Sequence, residues 1–231
     1  FFFGGGSLWD GMLGLLVIAA IAGVVLKTFQ GNSGEGITGD NSKVTIVKIQ
    51  VGLLAGAKRI QDDLTRLAME ADTTQNSNLL MVLRETVLSL LRHPEYWVYV
   101  SSAVEHTRFA LAEQKYAGLV MSERMKLSDE VLTNQTGRRS QQQLPGVSPN
   151  LLLEDPSEYI VVTIVAAIAG DSMTNLPTIR SSADLKQALT KLGGTAEDQL
   201  IAVEVLWEPQ AEAYTLSADE MLAVYPELVR I

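Results

Sequence analysis

The sequence predicts an α/β (α+β) protein, with one N-terminal transmembrane helix followed by a soluble domain in which helices cover a small mixed sheet. Three observations carry this. Sixteen uncharged residues lie between Asp10 and Lys27, short β-branched runs recur at 44–51, 159–168 and 200–207, and segments with 3.6-residue apolar periodicity alternate with those runs. The division that follows is 1–30 as anchor, 31–43 as flexible linker and 44–231 as the α/β domain, with 136–156 as an internal mobile loop.

The anchor is argued from length and flanks. Sixteen helical residues span about 24 Å against a hydrocarbon layer of roughly 30 Å. Starting the helix at Leu8 or Trp9 and ending it near Phe29 closes the gap, with Asp10 and Lys27 reaching the interfaces. None of the first ten residues is basic, so a cleaved secretory leader fits poorly and a retained anchor fits better. Lys27, Lys43, Lys48, Lys58 and Arg59 all follow the span, which by the positive-inside rule puts the domain on the cytoplasmic or stromal side. Ala19 and Gly23 form a small-xxx-small pair on which another helix could seat.

After the Gly- and Ser-containing linker, Lys43 to Val51 alternates β-branched and polar residues as a strand does. From Leu53 the spacing changes: Leu53, Ala57, Ile60, Leu64, Leu67 and Ala71 share one helical face. A second helix carries Leu79, Leu83, Val87, Leu90 and Leu91 and stops at His93-Pro94. Tyr96 to Val100 reads as a short aromatic strand, and Phe109 to Leu132 as helical with a break at Ser122. The stretch 136–156 combines Gly137, the pair Arg138-Arg139, a Gln run and prolines with little periodicity. Tyr159 to Ile168 is an apolar strand too short to span a membrane. A helix follows, capped at Ser181 and ended by Gly193-Gly194; a strand from Leu200 to Trp207 stops at Pro209, and Ser217 with Glu220 opens a last short helix.

Composition excludes several functions. Of 231 residues, 47% are hydrophobic and 19% charged, enough to bury a core. Cysteine is absent, which removes disulfides, thiolate metal sites and thiol nucleophiles, and His93 and His106 are the only imidazoles. The net charge of -9 is uneven: residues 31–147 hold 13 basic and 13 acidic side chains, whereas 148–231 hold 4 and 13. An acidic C-terminal third disfavours nucleic acid and favours a basic protein surface.

No motif assigns a catalytic, cofactor-binding or metal-ligating residue. His93-Pro94-Glu95 lacks the cysteine pair a deaminase needs, and Gly170-Asp171-Ser172 lacks the second glycine of a nucleophile elbow. The acidic pairs Asp62-Asp63, Glu154-Asp155 and Asp219-Glu220 do not have calcium-loop spacing. Candidate partner contacts are Ala19 and Gly23, Arg138 and Arg139, and Trp97 and Trp207, although both tryptophans fall in predicted strands, which favours core packing for them.

Several stretches together resemble one family: Lys48 to Ala55, Leu67 to Thr73, Leu90 to Tyr99, Ser122-Glu123-Arg124, Glu158 to Thr163, Ala202 to Gln210, Leu216 to Glu220 and Tyr225-Pro226. They are similar to an uncharacterised membrane-protein family of cyanobacteria and chloroplasts, the one that includes the plant fluctuating-light acclimation protein. The resemblance implies a thylakoid or plastid-envelope membrane and a part in adjusting photosynthesis, photoprotection and ion or proton balance to changing light. It implies no reaction, cofactor or catalytic residue. The expectation is a non-enzymatic, single-pass protein in contact with membrane lipid that binds or regulates a photosynthetic or ion-transport complex. The alternative is a membrane-tethered, hydrolase-like enzyme built on carboxylates and Ser172. A channel is disfavoured, because one apolar helix with Asp10 at its edge offers no conducting path.

Overall fold

The computed structural model describes residues 42–70, 76–135, 158–171, 173, 176, 178–209 and 215–231, with the side chains of 70, 76, 77 and 128–135 left aside. The expected anchor, the linker up to residue 41, and the loop with Arg138 and Arg139 lie outside the described residues, and Lys43, expected to end the linker, opens the first strand.

The first strand, β1 (Lys43–Leu54), turns through a 3-10 segment (Ala55–Ala57) into α1 (Lys58–Glu70), and α2 (Asn76–Arg92) follows. A second 3-10 turn (Pro94–Tyr96) leads into β2 (Trp97–Arg108) and the long α3 (Phe109–Gln135). Then come β3 (Tyr159–Ala169), α4 (Ser182–Gly193), β4 (Leu200–Glu208), α5 (Ala218–Val224) and the two-residue β5 (Val229–Arg230). The strands form one sheet in the order β4-β3-β1-β2-β5.

Every neighbouring pair is antiparallel, which corrects the expected mixed sheet. The reason lies in the connections. The α1–α2 hairpin returns the chain beside β1, and α4 returns it beside β3; neither is a crossover that makes neighbours parallel. Two connections cross over: α3 carries the chain from β2 to β3, which point the same way but have β1 between them, and the stretch containing α5 carries it from β4 at one edge to β5 at the other.

Alternation along the strands sorts side chains into two faces. Val47, Ile49, Val51 and Leu53 of β1, with Ile160, Val162 and Ile164 of β3, enter a core shared with Ile60, Leu83, Val87, Leu90, Leu185 and Leu189, so α1, α2 and α4 cover this face. Val44 and Ile46, with Val165 and Ala167, meet Ala112, Tyr116 and Val120 of α3 on the other. Farther along the same face Tyr159 and Val161 pack on Met221, Tyr225 and Leu228 from the α5 region.

Leu53, expected to open a helix, is the end of β1. The two-residue spacing Val47, Ile49, Val51, Leu53 continues into the core and outlasts the start of the 3.6-residue pattern. Tyr96 belongs to the 3-10 turn rather than to a strand, and β2 runs on through the polar Ser101–Arg108 because it pairs with the central strand along its whole length. The break expected at Ser122 does not occur; its hydroxyl donates to the Leu119 carbonyl at 2.7 Å inside a continuous α3. The caps stand where expected: the Ser181 side chain accepts from the Asp184 N–H, and Ser217 with Glu220 forms a complete capping box.

Candidate functional site

Under α3 the sheet presents polar and charged groups where a core would otherwise be apolar. Strand spacing puts Lys48 and Gln50 of β1, Thr163 of β3, and Glu204 and Glu208 of β4 on this face. Helical spacing turns Tyr116, Val120, Glu123 and Leu127 of α3 down onto them, with Arg124 and Lys126 alongside.

Two ion-pair groups hold the helix on the sheet. Arg124 donates from Nε (2.9 Å) and Nη2 (2.6 Å) to Oε1 of Glu204, which is 0% exposed. Glu123, also buried, accepts from Lys48 Nζ on Oε1 at 2.8 Å, and on Oε2 from Gln50 Nε2 at 3.1 Å and Lys126 Nζ at 2.9 Å. Lys48 and Lys126 both reach Oε1 of Glu227, at 3.2 and 3.0 Å, which ties the turn after α5 into the cluster. Gln50 Nε2 also lies 3.3 Å from Thr163 Oγ1, and the Tyr116 hydroxyl donates to the Val165 carbonyl at 3.4 Å. Lys126 stands 4.7 Å over the Tyr225 ring, whose hydroxyl donates to Glu208.

Burial acts differently on each group. It pushes the Glu204 carboxyl up to about 7, and the Arg124 charge and hydrogen bonds pull it only part of the way back. Burial also lifts the Tyr116 phenol well above its ordinary value, with the Glu204 charge adding and Arg124 opposing. Lys48 feels burial as a downward push, yet its bonds and attractions to Glu123 and Glu227 outweigh it and its ammonium is favoured. Glu227 is half-buried, and against an upward push from burial the bonds from Lys126, its own backbone and Lys48 hold it below the usual carboxylate range. Within the cluster, burial thus brings the Glu204 carboxyl close to neutrality. Its Oε2 has no hydrogen-bond partner among the described residues.

The residues singled out from sequence lie elsewhere. Trp97 and Trp207 are each 7% exposed within the core beneath α1, α2 and α4, so neither indole offers a partner surface; their strands turn them inward. Ala19, Gly23, Arg138, Arg139 and Ser172 lie outside the described residues. Asp171 pairs with Lys43 at 2.7 Å on the surface, 128 residues away in the chain. His93 meets Glu95 at 3.1 Å and His106 meets the Thr45 hydroxyl at 3.1 Å, at separate places. Among the described residues no group of three or more His, Asp or Glu side chains is placed to hold a metal ion, and no helix is long and apolar enough to cross a membrane. A groove of about 260 Å³ between α1 and α2 is lined by Leu64, Leu67, Met81, Arg66 and Arg92 among others.

Sequence reading did not single out Glu204, Arg124, Glu123 and Lys48 as a site. The available signal was Glu204 itself, one carboxylate inside the apolar run Leu200–Trp207, which must find a partner if the strand is buried.

Fold and site together define an antiparallel α+β domain whose buried ionisable groups tie a long helix to its sheet. The chain belongs to a family described as protein of unknown function (DUF1517), whose model matches residues 43–231. It is 44% identical over 240 residues to Protein FLAP1 homolog A of Synechocystis, covering 98% of this chain and 71% of that one. It is 37% identical over 234 residues to the chloroplastic FLUCTUATING-LIGHT-ACCLIMATION protein 1 of Arabidopsis thaliana, covering 99% of this chain and 56% of that one. The chain thus spans little more than half the length of the plant relative. No solved structure matches it.

Proposed function

We propose that this protein acts in light acclimation at a photosynthetic membrane, as a membrane-tethered binding protein rather than an enzyme. The names of its relatives in Synechocystis and Arabidopsis support the physiological role, and the chloroplastic relative supports a plastid setting, of which the thylakoid or envelope membrane is the finer part of this reading. The apolar run 11–26 is the tether in this reading, with the domain on the cytoplasmic or stromal side.

The observation that carries the binding role is the outer face of α3. Its inner face is occupied by the sheet, yet Met121 and Met125 are each 60% exposed and Leu111 is 49% exposed on the opposite side. Flexible thioethers and a leucine on the surface of a helix pinned by ion pairs form an adaptable apolar contact on a rigid support. The partner in this reading is a photosystem, an associated assembly or an ion-transport complex. Membranes solubilised in mild detergent test it: the protein co-migrates with such a complex, and a quantitatively free monomer would overturn the reading.

A further inference from the structure

We propose that docking of α3 on the sheet is coupled to protonation of Glu204, the helix being held tightest when this carboxyl is neutral and loosened as it ionises. The inference begins with geometry. Glu204 projects from the inner face of β4 directly beneath α3, is fully sealed, and has both Arg124 donors on a single oxygen. The other oxygen, Oε2, has no hydrogen-bond partner among the described residues and is the atom on which a proton would sit without disturbing the Arg124 bonds.

Among the described residues the ionisable groups on this face have other partners, including Glu208 farther along β4, which accepts from the Tyr225 hydroxyl. On α3, Arg124 faces Glu204, the Tyr116 phenol is neutral and bonded to the Val165 carbonyl, and Glu123 and Lys126 are engaged with each other and with Lys48 and Glu227. On β1 the charged group is Lys48, already shared between Glu123 and Glu227. On β3 the residue opposite Glu204 is Val165, which does not titrate. Arg124 is therefore the direct counter-charge, and it recovers only part of what burial costs the carboxylate.

The sign follows from linkage. With α3 docked the carboxyl holds its proton up to about 7, whereas with α3 lifted and Glu204 in water it reverts to the ordinary value of 4.5. The docked state binds the proton more tightly, so docking is favoured below 4.5, weakens as pH rises through the interval to 7, and levels off above it. An offset of that size changes the docked-to-lifted ratio by up to about 3 × 10²-fold. Because α3 also presents Leu111, Met121 and Met125, a proton-linked change in its docking would move that surface; the coupling itself stands whether or not a partner binds there.

The test uses the full 231-residue chain in mild detergent. Carbon-detected NMR follows the Glu carboxyl carbons from pH 4 to 9, Glu204 being assigned by its loss in Glu204→Gln. Amide exchange of residues 119–127, corrected for its intrinsic pH dependence, is followed over the same range. The expected result is a Glu204 midpoint near 7 and a fall in protection of up to about 3 × 10²-fold. That fall should share the carboxyl midpoint and vanish in Glu204→Gln. A Glu204 midpoint below 5, protection that does not track it, or the same fall in Glu204→Gln would each overturn the proposal. If Glu204→Gln does not fold, the coincidence of the two midpoints in the unaltered chain decides it, with Glu204 assigned through its backbone.

Discussion

Arg124 delivers two N–H groups to one oxygen of Glu204, at 2.9 and 2.6 Å, across the boundary between α3 and the outermost long strand of the sheet. The pair spans 80 residues of chain and fixes where the helix lies on the sheet. It also sets the first prediction. Arg124→Met removes the only opposing influence on the Glu204 carboxyl, whose proton affinity then rises further. The variant should lose up to about 3 kcal/mol of stability at pH 8, where the carboxyl must either take up a proton or stay buried as an unpaired charge, and markedly less at pH 5, where the group is neutral in both proteins. Urea denaturation at the two pH values measures the difference; equal losses would refute it.

The two most informative glycines should respond in opposite directions. At Gly52 a methyl group would stand 2.9 Å from Tyr99 Cβ and 3.3 Å from Met221 Sδ, whereas at Gly118, exposed in the middle of α3, it would meet nothing within 4 Å. Gly52→Ala is expected to destabilise by about 1–3 kcal/mol through overpacking. Gly118→Ala is expected to stabilise by about 0.5–1 kcal/mol, because a helix interior favours alanine. Thermal denaturation of both variants separates the signs.

Ser217→Ala breaks the capping box in which the serine side chain accepts from the Glu220 N–H and the Glu220 carboxylate accepts from the Ser217 N–H. The loss expected is about 1 kcal/mol. It should appear first as faster amide exchange in α5, since Met221 is the residue by which this short helix enters the core.

Met121→Ser combined with Met125→Ser should leave stability within about 0.5 kcal/mol, because both side chains are largely in solvent. Co-migration with the partner complex should weaken several-fold in mild-detergent gels. Unaltered co-migration would move the contact to another surface.

Much of the fold was legible because its signals are local. The Ser181 and Ser217 caps, the stop at His93-Pro94 and the apolar runs of β3 and β4 each depend on residues within a few positions of one another. Where local signals competed, the longer-range partner won: Leu53 went to the strand and Ser101–Arg108 was drawn into β2 by β1. The candidate site was much less legible. Glu204 in an apolar strand announced a need for a partner, but Arg124 could be named only once β4 lay beside β3 and α3 lay across both.

By itself, then, the sequence determined most of the longer elements, the caps at Ser181 and Ser217, the lack of cysteine chemistry and the family, all of which rest on residue identity and short spacings. The tertiary structure alone decided that the sheet is antiparallel throughout and that α3 runs unbroken past Ser122. It also decided that Lys48, Glu123, Arg124, Glu204 and Glu227 meet beneath one helix. The physical reason is that burial and charge pairing depend on strand order and register. These bring together groups up to 179 residues apart, over distances for which sequence spacing holds no information.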